Sequence, residues 1–192
     1  IAVYSAHTAF DSAKHGINQR LAQMLNLNDI QPLIPAEDPE DAAGGIGAGR
    51  SGKPSPGTTL RDVSDVLASA LSLRNIRRMG AEDVSISRVA IACGSGGSFV
   101  GAARRCGADL LITGEATFHT CLEAQAAGMA MLLTGHFASE RFAMEQWAME
   151  IQVWADKNLL GSAQNTQSSH ANVAVFASQA DISPVVDVVV DT

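Results

Sequence analysis

Three short runs in the chain, residues 88–93, 110–113 and 129–134, are apolar almost end to end, and successive runs are separated by one helix's worth of sequence. A strand open to water on one side alternates apolar and polar residues, whereas a strand covered on both faces has no need to. Residues 99–106 and 121–127, which fall between the runs, read as helices. Strand, helix, strand, repeated, predicts an α/β protein whose sheet is covered on both faces.

The flanking sequence extends the pattern. Residues 1–5 read as a further strand, and because the chain opens inside a strand pattern without Met, it is expected to begin partway through a longer polypeptide. Residues 16–25 predict a helix with Ile17, Leu21, Met24 and Leu25 on one face. Residues 31–56, rich in Gly, Pro and acidic side chains, read as loop. Thr59 starts the next helix, along which Leu60, Val63, Val66, Leu67, Ala70 and Leu71 keep the helical period. A long amphipathic helix is expected from 139 to about 158, with Phe142, Ala143, Trp147, Ile151 and Trp154 inward, followed by strands at 173–177 and 185–190.

Composition excludes some partners. A net charge of −7 disfavours a surface that tracks nucleic-acid phosphates. Cys93, Cys106 and Cys121 form no Cys-x-x-Cys unit, and an odd count without a secretory signal pattern fits free thiols in the reducing cytoplasm. No apolar stretch reaches the ~20 residues of a membrane helix.

Chemistry concentrates in two distant segments, His7-Thr8-Ala9-Phe10-Asp11 and His136-Phe137-Ala138-Ser139-Glu140, each pairing an imidazole with a carboxylate four residues on. Brought together, they offer a donor set that suits zinc, manganese or iron. Ligands of open α/β sheets sit beyond the carboxyl ends of the strands, where residues 5–11, 94–98, 114–119 and 135–140 are expected to meet.

The ordered motifs Val3-Tyr4-Ser5-Ala6-His7-Thr8-Ala9-Phe10-Asp11, Gly47-Ala48-Gly49-Arg50-Ser51-Gly52, Gly94-Ser95-Gly96-Gly97-Ser98, Gly107-Ala108-Asp109 running into Thr113-Gly114-Glu115, and Gly135 to Glu140 resemble the NGG-interacting-factor-three-like family, bacterial members of which are often labelled GTP cyclohydrolase 1 type 2. The resemblance implies a three-layer α/β/α sandwich with two related halves, a dinuclear centre of divalent metal ions (zinc, iron or manganese), and a homohexamer. Residues 1–192 then form one family region, the C-terminal two-thirds or more of a longer protein, with an inserted or intermediate segment at about 31–90. Asp11, His136 and Glu140 match the family's metal ligands, Glu140 as the bridging carboxylate. His7 matches a histidine lining the centre, with a proton-transfer role ahead of a ligand role. The family's remaining ligands are adjacent histidines in an upstream His-His-Pro-type segment that these residues lack, so the centre here is expected to be incomplete.

Other motifs carry competing readings. Gly47, Gly52 and Lys53 have P-loop spacing, but Pro54 stands where Ser or Thr is required, so a turn or edge strand with Arg50 facing neighbouring chain is the better reading. Gly94, Ser95, Gly96 and Gly97 carry two compatible readings, amides presented to an anion such as a substrate phosphate and a tight strand-to-helix turn with Ser98 as N-cap. Glu115 and His119 suit general acid or base work beside the cleft. His15 and His170 read as surface residues, Arg74, Arg77, Arg78 and Arg88 as a solvated face, and Cys93 as a small buried residue. The expected function is metal-dependent hydrolysis of a nucleotide or phosphoester; the competing class is a metal-binding scaffold or transcription-linked interaction protein.

Overall fold

The three apolar runs are adjacent strands in the computed structural model of the chain, which describes residues 1–160, the side chain of 160 excepted, and 173–185. The chain divides into two compact units, Ile1–Glu140 and Arg141–Thr192. The first begins with α1 (His7–Ser12), α2 (Ile17–Met24), β1 (Asn28–Gln31), β2 (Ile34–Pro35), α3 (Pro39–Ala43), β3 (Gly47–Ala48) and β4 (Arg50–Lys53). There follow α4 (Leu60–Ala70), β5 (Arg77–Met79), β6 (Val89–Ala92), α5 (Val100–Arg105), β7 (Leu110–Thr113), α6 (Phe118–Ala126), β8 (Ala130–Leu133) and α7 (His136–Arg141). The second unit contains α8 (Met144–Ala155).

Six strands form one sheet in the order β1-β4-β6-β7-β8-β5, parallel across β6, β7 and β8 and antiparallel at its flanks, while β2 and β3 form a separate pair. Every residue of β6 and β7 is buried, which explains the unbroken apolar runs. On one face Ala90, Ala92, Leu111 and Met131 pack with Val100, Ala102 and Ala103 of α5 and Ala124 of α6. Small residues at these helix positions let the backbones approach the sheet closely. Toward the other face, α2 packs on β4 and β6, and Leu60 of α4 lies across Gly80 from Ala130. The result is an α/β/α sandwich, as expected.

Helix starts follow local chemistry. Thr59 caps α4 in a reciprocal capping box, its hydroxyl accepting from the Asp62 amide at 3.3 Å while the Thr59 amide donates to Asp62 Oδ2 at 2.8 Å. Thr117 caps α6, which starts three residues before the expected 121. In α2, Ile17, Leu21 and Leu25 are buried as predicted, but Met24 falls at the margin of the stripe and is 39% exposed; Asn18 is buried instead.

Several sequence expectations are corrected. Residues 1–5 are not a strand: among the described residues no strand pairs with them, and Ile1, Val3 and Tyr4 are exposed. Residues 31–56 are not a loop but carry β2, α3, β3 and β4, and β4 lies inside the sheet between β1 and β6. The glycines that suggested loop mark close approach: at Gly49 (φ 63°) a Cβ would stand 2.8 Å from the carbonyl oxygen of Ile91. The helix expected over 139–158 is interrupted by a turn at Phe142 and Ala143 and ends in a π turn at Asp156–Leu160. Ile151 and Trp154 are exposed, so they are not core residues of α8. Residues 173–177 form no strand; there Gln152 accepts from the Val175 amide at 2.7 Å and donates to the Val173 carbonyl at 3.0 Å. Val185 is not in a strand, and the rest of the expected strand at 185–190, like His170, lies outside the described residues.

Candidate metal centre

The parallel strands end level with one another, Ala92 beside Thr113 and Thr113 beside Leu133. Pairing continues into the loops, where the Glu115 amide donates to the Gly94 carbonyl at 3.0 Å and the Gly135 amide to the Gly114 carbonyl at 2.9 Å. Three chemistry-bearing segments therefore leave the sheet side by side.

His136 opens α7, and Glu140 lies one helical turn further on the same face. Nδ1 of His136 is 2.9 Å from Glu115 Oε1, and Nε2 is 3.2 Å from Glu140 Oε1. A carboxylate only accepts, so Nδ1 carries a proton towards Glu115. Once the ring is neutral, Nε2 and Glu140 Oε1 are two acceptors facing each other, and a positive species between them, a proton or a metal cation, relieves the conflict. The hydrogen bond donated to Glu115 is the largest cause that raises the His136 pKa, and the Glu140 carboxylate adds to it against partial desolvation.

The loop after β6 underlies this pair. Gly94 has φ 67°, and a Cβ there would collide with the Glu140 carboxylate and stand 3.3 Å from His136 Nε2. Burial pushes the thiol of neighbouring Cys93 far up, and the Asp11 and Glu140 carboxylates push it further. Asp11, on α1, is itself raised by burial, opposed by His7 and His136. The Asp11 carboxylate thus shares one electrostatic neighbourhood with His136, Glu140 and Cys93, although more than a hundred residues separate it from α7.

Three buried polar side chains lock the loops together. Ser139 Oγ accepts from the Gly94 amide at 2.8 Å and donates to the His136 carbonyl at 2.8 Å. Thr113 Oγ1 accepts from the Gly96 amide at 2.9 Å and lies 3.2 Å from the Gly94 carbonyl. Asn18 Oδ1 accepts from the Cys93 amide at 2.8 Å, and its Nδ2 donates to the Asp11 carbonyl at 3.0 Å. Sequence reasoning missed all three. The available signal was Asn18, a polar residue on the apolar stripe of α2.

In the Gly94, Ser95, Gly96 and Gly97 segment this network takes up two of the four amides, those of Gly94 and Gly96, directed at Ser139 and Thr113 as the tight-turn reading expects. Ser98 is not an N-cap; Gly96–Phe99 form a 3-10 turn and Phe99 occupies the cap position of α5 without a side-chain bond. His119 is exposed in the first turn of α6, edge-on to Phe118, and His7 is exposed at the head of α1. Arg50 is fully buried, its guanidinium donating to the carbonyls of Ala13, Gly45, Gly47 and Gly49 and to Gln19 Oε1. Burial lowers its pKa.

The donor types fit a divalent metal, but among the described residues no group of three or more His, Cys, Asp or Glu side chains is placed to hold one. His136 and Glu140 supply an adjacent pair; Asp11 stands near it without completing a triad.

The chain resembles known proteins over most of its length. It is 37% identical over 140 residues to a GTP cyclohydrolase 1 type 2 homolog of Clostridium perfringens, which covers 73% of this chain and 52% of that protein. It is 34% identical over 185 residues to the NIF3 homolog of Schizosaccharomyces pombe, covering 94% of this chain and 63% of that protein. The chain spans about half the length of the first of these relatives. The fold matches a crystal structure of a Bacillus cereus protein related to NIF3, with a TM-score of 0.80 at 18% identity over 98% of this chain and 74% of that one. The match to Duf34/NIF3 (NGG1p interacting factor 3) runs from residue 1 to 167, and the chain belongs to that family.

Proposed function

We propose that this chain is part of a dinuclear-metal-binding hydrolase acting on a nucleotide or phosphoester, in the manner the GTP cyclohydrolase 1 type 2 name suggests. The observation that supports it is the facing pair His136 Nε2 and Glu140 Oε1, with Nδ1 held by Glu115. A carboxylate behind a histidine fixes its tautomer and makes the other nitrogen a better donor. His136, Glu140 and Asp11 would hold divalent ions, two per complete subunit and of zinc, iron or manganese type, with further donors from the remainder of the complete protein. Bound cations supply Lewis acidity and a water ionised near neutral pH.

The chain's own residues orient and move protons around that centre. Glu115 holds the His136 ring, while His7, one helical turn before Asp11, and His119 in the first turn of α6 serve as proton carriers. Ring opening of GTP and phosphoester cleavage both suit this chemistry.

Assembly and setting belong to the same reading. Exposed Phe118 and Leu122 on α6, and Met149, Val153 and Trp154 on α8, favour a homo-oligomer such as a hexamer and leave room for protein partners. Free Cys93, Cys106 and Cys121 suit the cytoplasm. Among the described residues no helix is long and apolar enough to cross a membrane.

The test is metal analysis of the complete protein paired with a hydrolysis assay on GTP and phosphodiesters. Turnover that disappears with chelation and returns with zinc, iron or manganese is expected. Full metal loading without turnover on any nucleotide or phosphoester would overturn the hydrolase and leave a metal-binding scaffold.

A further inference from the structure

The helix that carries Asp11 is not held by an apolar face of its own. None of the six residues of α1 is buried. Polar tethers hold it instead: Asn18 Nδ2 donates to the Asp11 carbonyl at 3.0 Å, and Arg50 donates to the Ala13 carbonyl at 2.7 Å. Both carbonyls lie at the end of the helix, where the helical ladder supplies no partner; that of Ala13 also accepts from the Gly16 amide at 2.9 Å. Phe10, half-buried, lies 5.7 Å beneath the Arg20 guanidinium.

Asn18 differs from the other tethers in what stands at its far end. The residue is 3% exposed, and its Oδ1 accepts from the Cys93 amide at 2.8 Å. The amide orientation is forced, because the Asp11 carbonyl can only accept and the Cys93 amide can only donate. One planar group thus joins the Asp11 turn to the end of β6, directly before Gly94, over which Glu140 lies. Residues 11 and 93, remote in sequence, are set against each other by a rigid amide with two directional bonds.

We propose that Asn18 is a positioning residue that fixes the Asp11 turn on the carboxyl end of β6 and so sets the reach of the Asp11 carboxylate towards His136 and Glu140. Its metal consequence rests on the reading of Asp11 as a ligand given above; the tether itself does not. Serine or threonine is too short to reach both groups, and aspartate keeps the acceptor for Cys93 while losing the donor for Asp11.

The experiment uses the full chain with Asn18→Asp and Asn18→Leu, and two readouts. Backbone order parameters are measured by NMR without metal, and Mn²⁺ alone is titrated for affinity. In the parent chain the α1 amides should give order parameters of about 0.85, falling below about 0.6 in both variants. The Cys93 amide resonance should stay in place in Asn18→Asp and move in Asn18→Leu. Mn²⁺ affinity should fall by roughly 10–100-fold in both, the loss typical of removing a group that orients a ligand. If Asn18→Asp does not fold, Asn18→Leu, similar in size and uncharged, still carries the order-parameter and Mn²⁺ comparisons.

An α1 that stays rigid in the variants overturns the tether. An α1 that loosens while Mn²⁺ affinity is unchanged overturns the positioning role. Should the parent chain bind no Mn²⁺, the metal reading fails, and the order parameters alone decide whether Asn18 holds the Asp11 turn.

Discussion

The carboxylate of Glu140 fills the space above the α-carbon of Gly94, where any side chain at position 94 would have to stand. Alanine there meets two penalties, the left-handed backbone and the displaced carboxylate. Gly107 provides the control, because it shares the backbone conformation (φ 73°) with open space around it. Backbone strain should cost each alanine variant about 1–2 kcal/mol, or roughly 2–8 °C of melting temperature. Gly94→Ala alone should weaken divalent-metal binding in the complete protein, by tenfold or more. Equal affinities in the two variants would remove Glu140 from the ligand set.

The Glu115–His136 hydrogen bond predicts a titration. The metal-free His136 midpoint lies above the ordinary histidine value, chiefly because of Glu115, and Glu115→Gln should bring it down when followed by NMR. The sign for stability follows. With the folded pKa raised, the interaction is fully stabilising below the unfolded value near 6.5 and is lost as pH rises through the folded value. The melting-temperature difference between the parent and Glu115→Gln should therefore shrink as pH climbs through that window. A difference independent of pH would mean that the pair is not formed in solution.

Ligands and proton carriers should separate kinetically. In the complete protein, Glu140→Ala should remove metal and hydrolysis together. His7→Ala should keep most of the metal and slow turnover by roughly 10²–10⁴-fold if His7 moves a proton in the limiting step. This chain alone should bind at most one metal equivalent, weakly, since among the described residues His136, Glu140 and nearby Asp11 do not form a complete donor set. Two tightly held equivalents would show that the ligands are misassigned.

Cys93 should be a poor nucleophile. Burial raises its thiol pKa, and the Asp11 and Glu140 carboxylates add repulsion against a thiolate. Cys93 is half-buried, so mass-spectrometric mapping after brief iodoacetamide treatment at neutral pH should find it labelled far more slowly in the native chain than once denatured. Rapid native labelling of Cys93 would contradict the packing of the β6 end.

Much of this fold was legible because its central strands are buried on both faces. Runs such as Val89 to Ala92 and Leu110 to Thr113 have few other uses in a folded chain. His136 and Glu140 were legible as an imidazole and a carboxylate four residues apart, and a meeting with the Asp11 segment was expected from the strand-end loops and the family resemblance. What stayed hidden depends on contacts distant in sequence. Strands of two to four residues, with Gly47 and Gly52 in them, carry no periodic signal, so residues 31–56 looked like loop. Ser139, Thr113 and Asn18 have ordinary side chains whose roles exist only once the strand ends are aligned. Ile1 to Tyr4 misled in the other direction, because an apolar run becomes a strand only when another strand pairs with it.

The level ending of Ala92, Thr113 and Leu133 turns the sheet into a ruler. Neighbouring strands are ~4.8 Å apart by virtue of their hydrogen bonds, so the lateral spacing of the Gly94, Glu115 and Gly135 segments is inherited from backbone geometry, independent of the helices in between. Lengthening the α5 or α6 crossover leaves that interval intact. Sliding β7 by one residue would carry Glu115 ~3.3 Å along the strand axis and turn Leu111 to the opposite face. The molecule can therefore absorb changes of length in its connections, while a single insertion within β7 would separate Glu115 from His136.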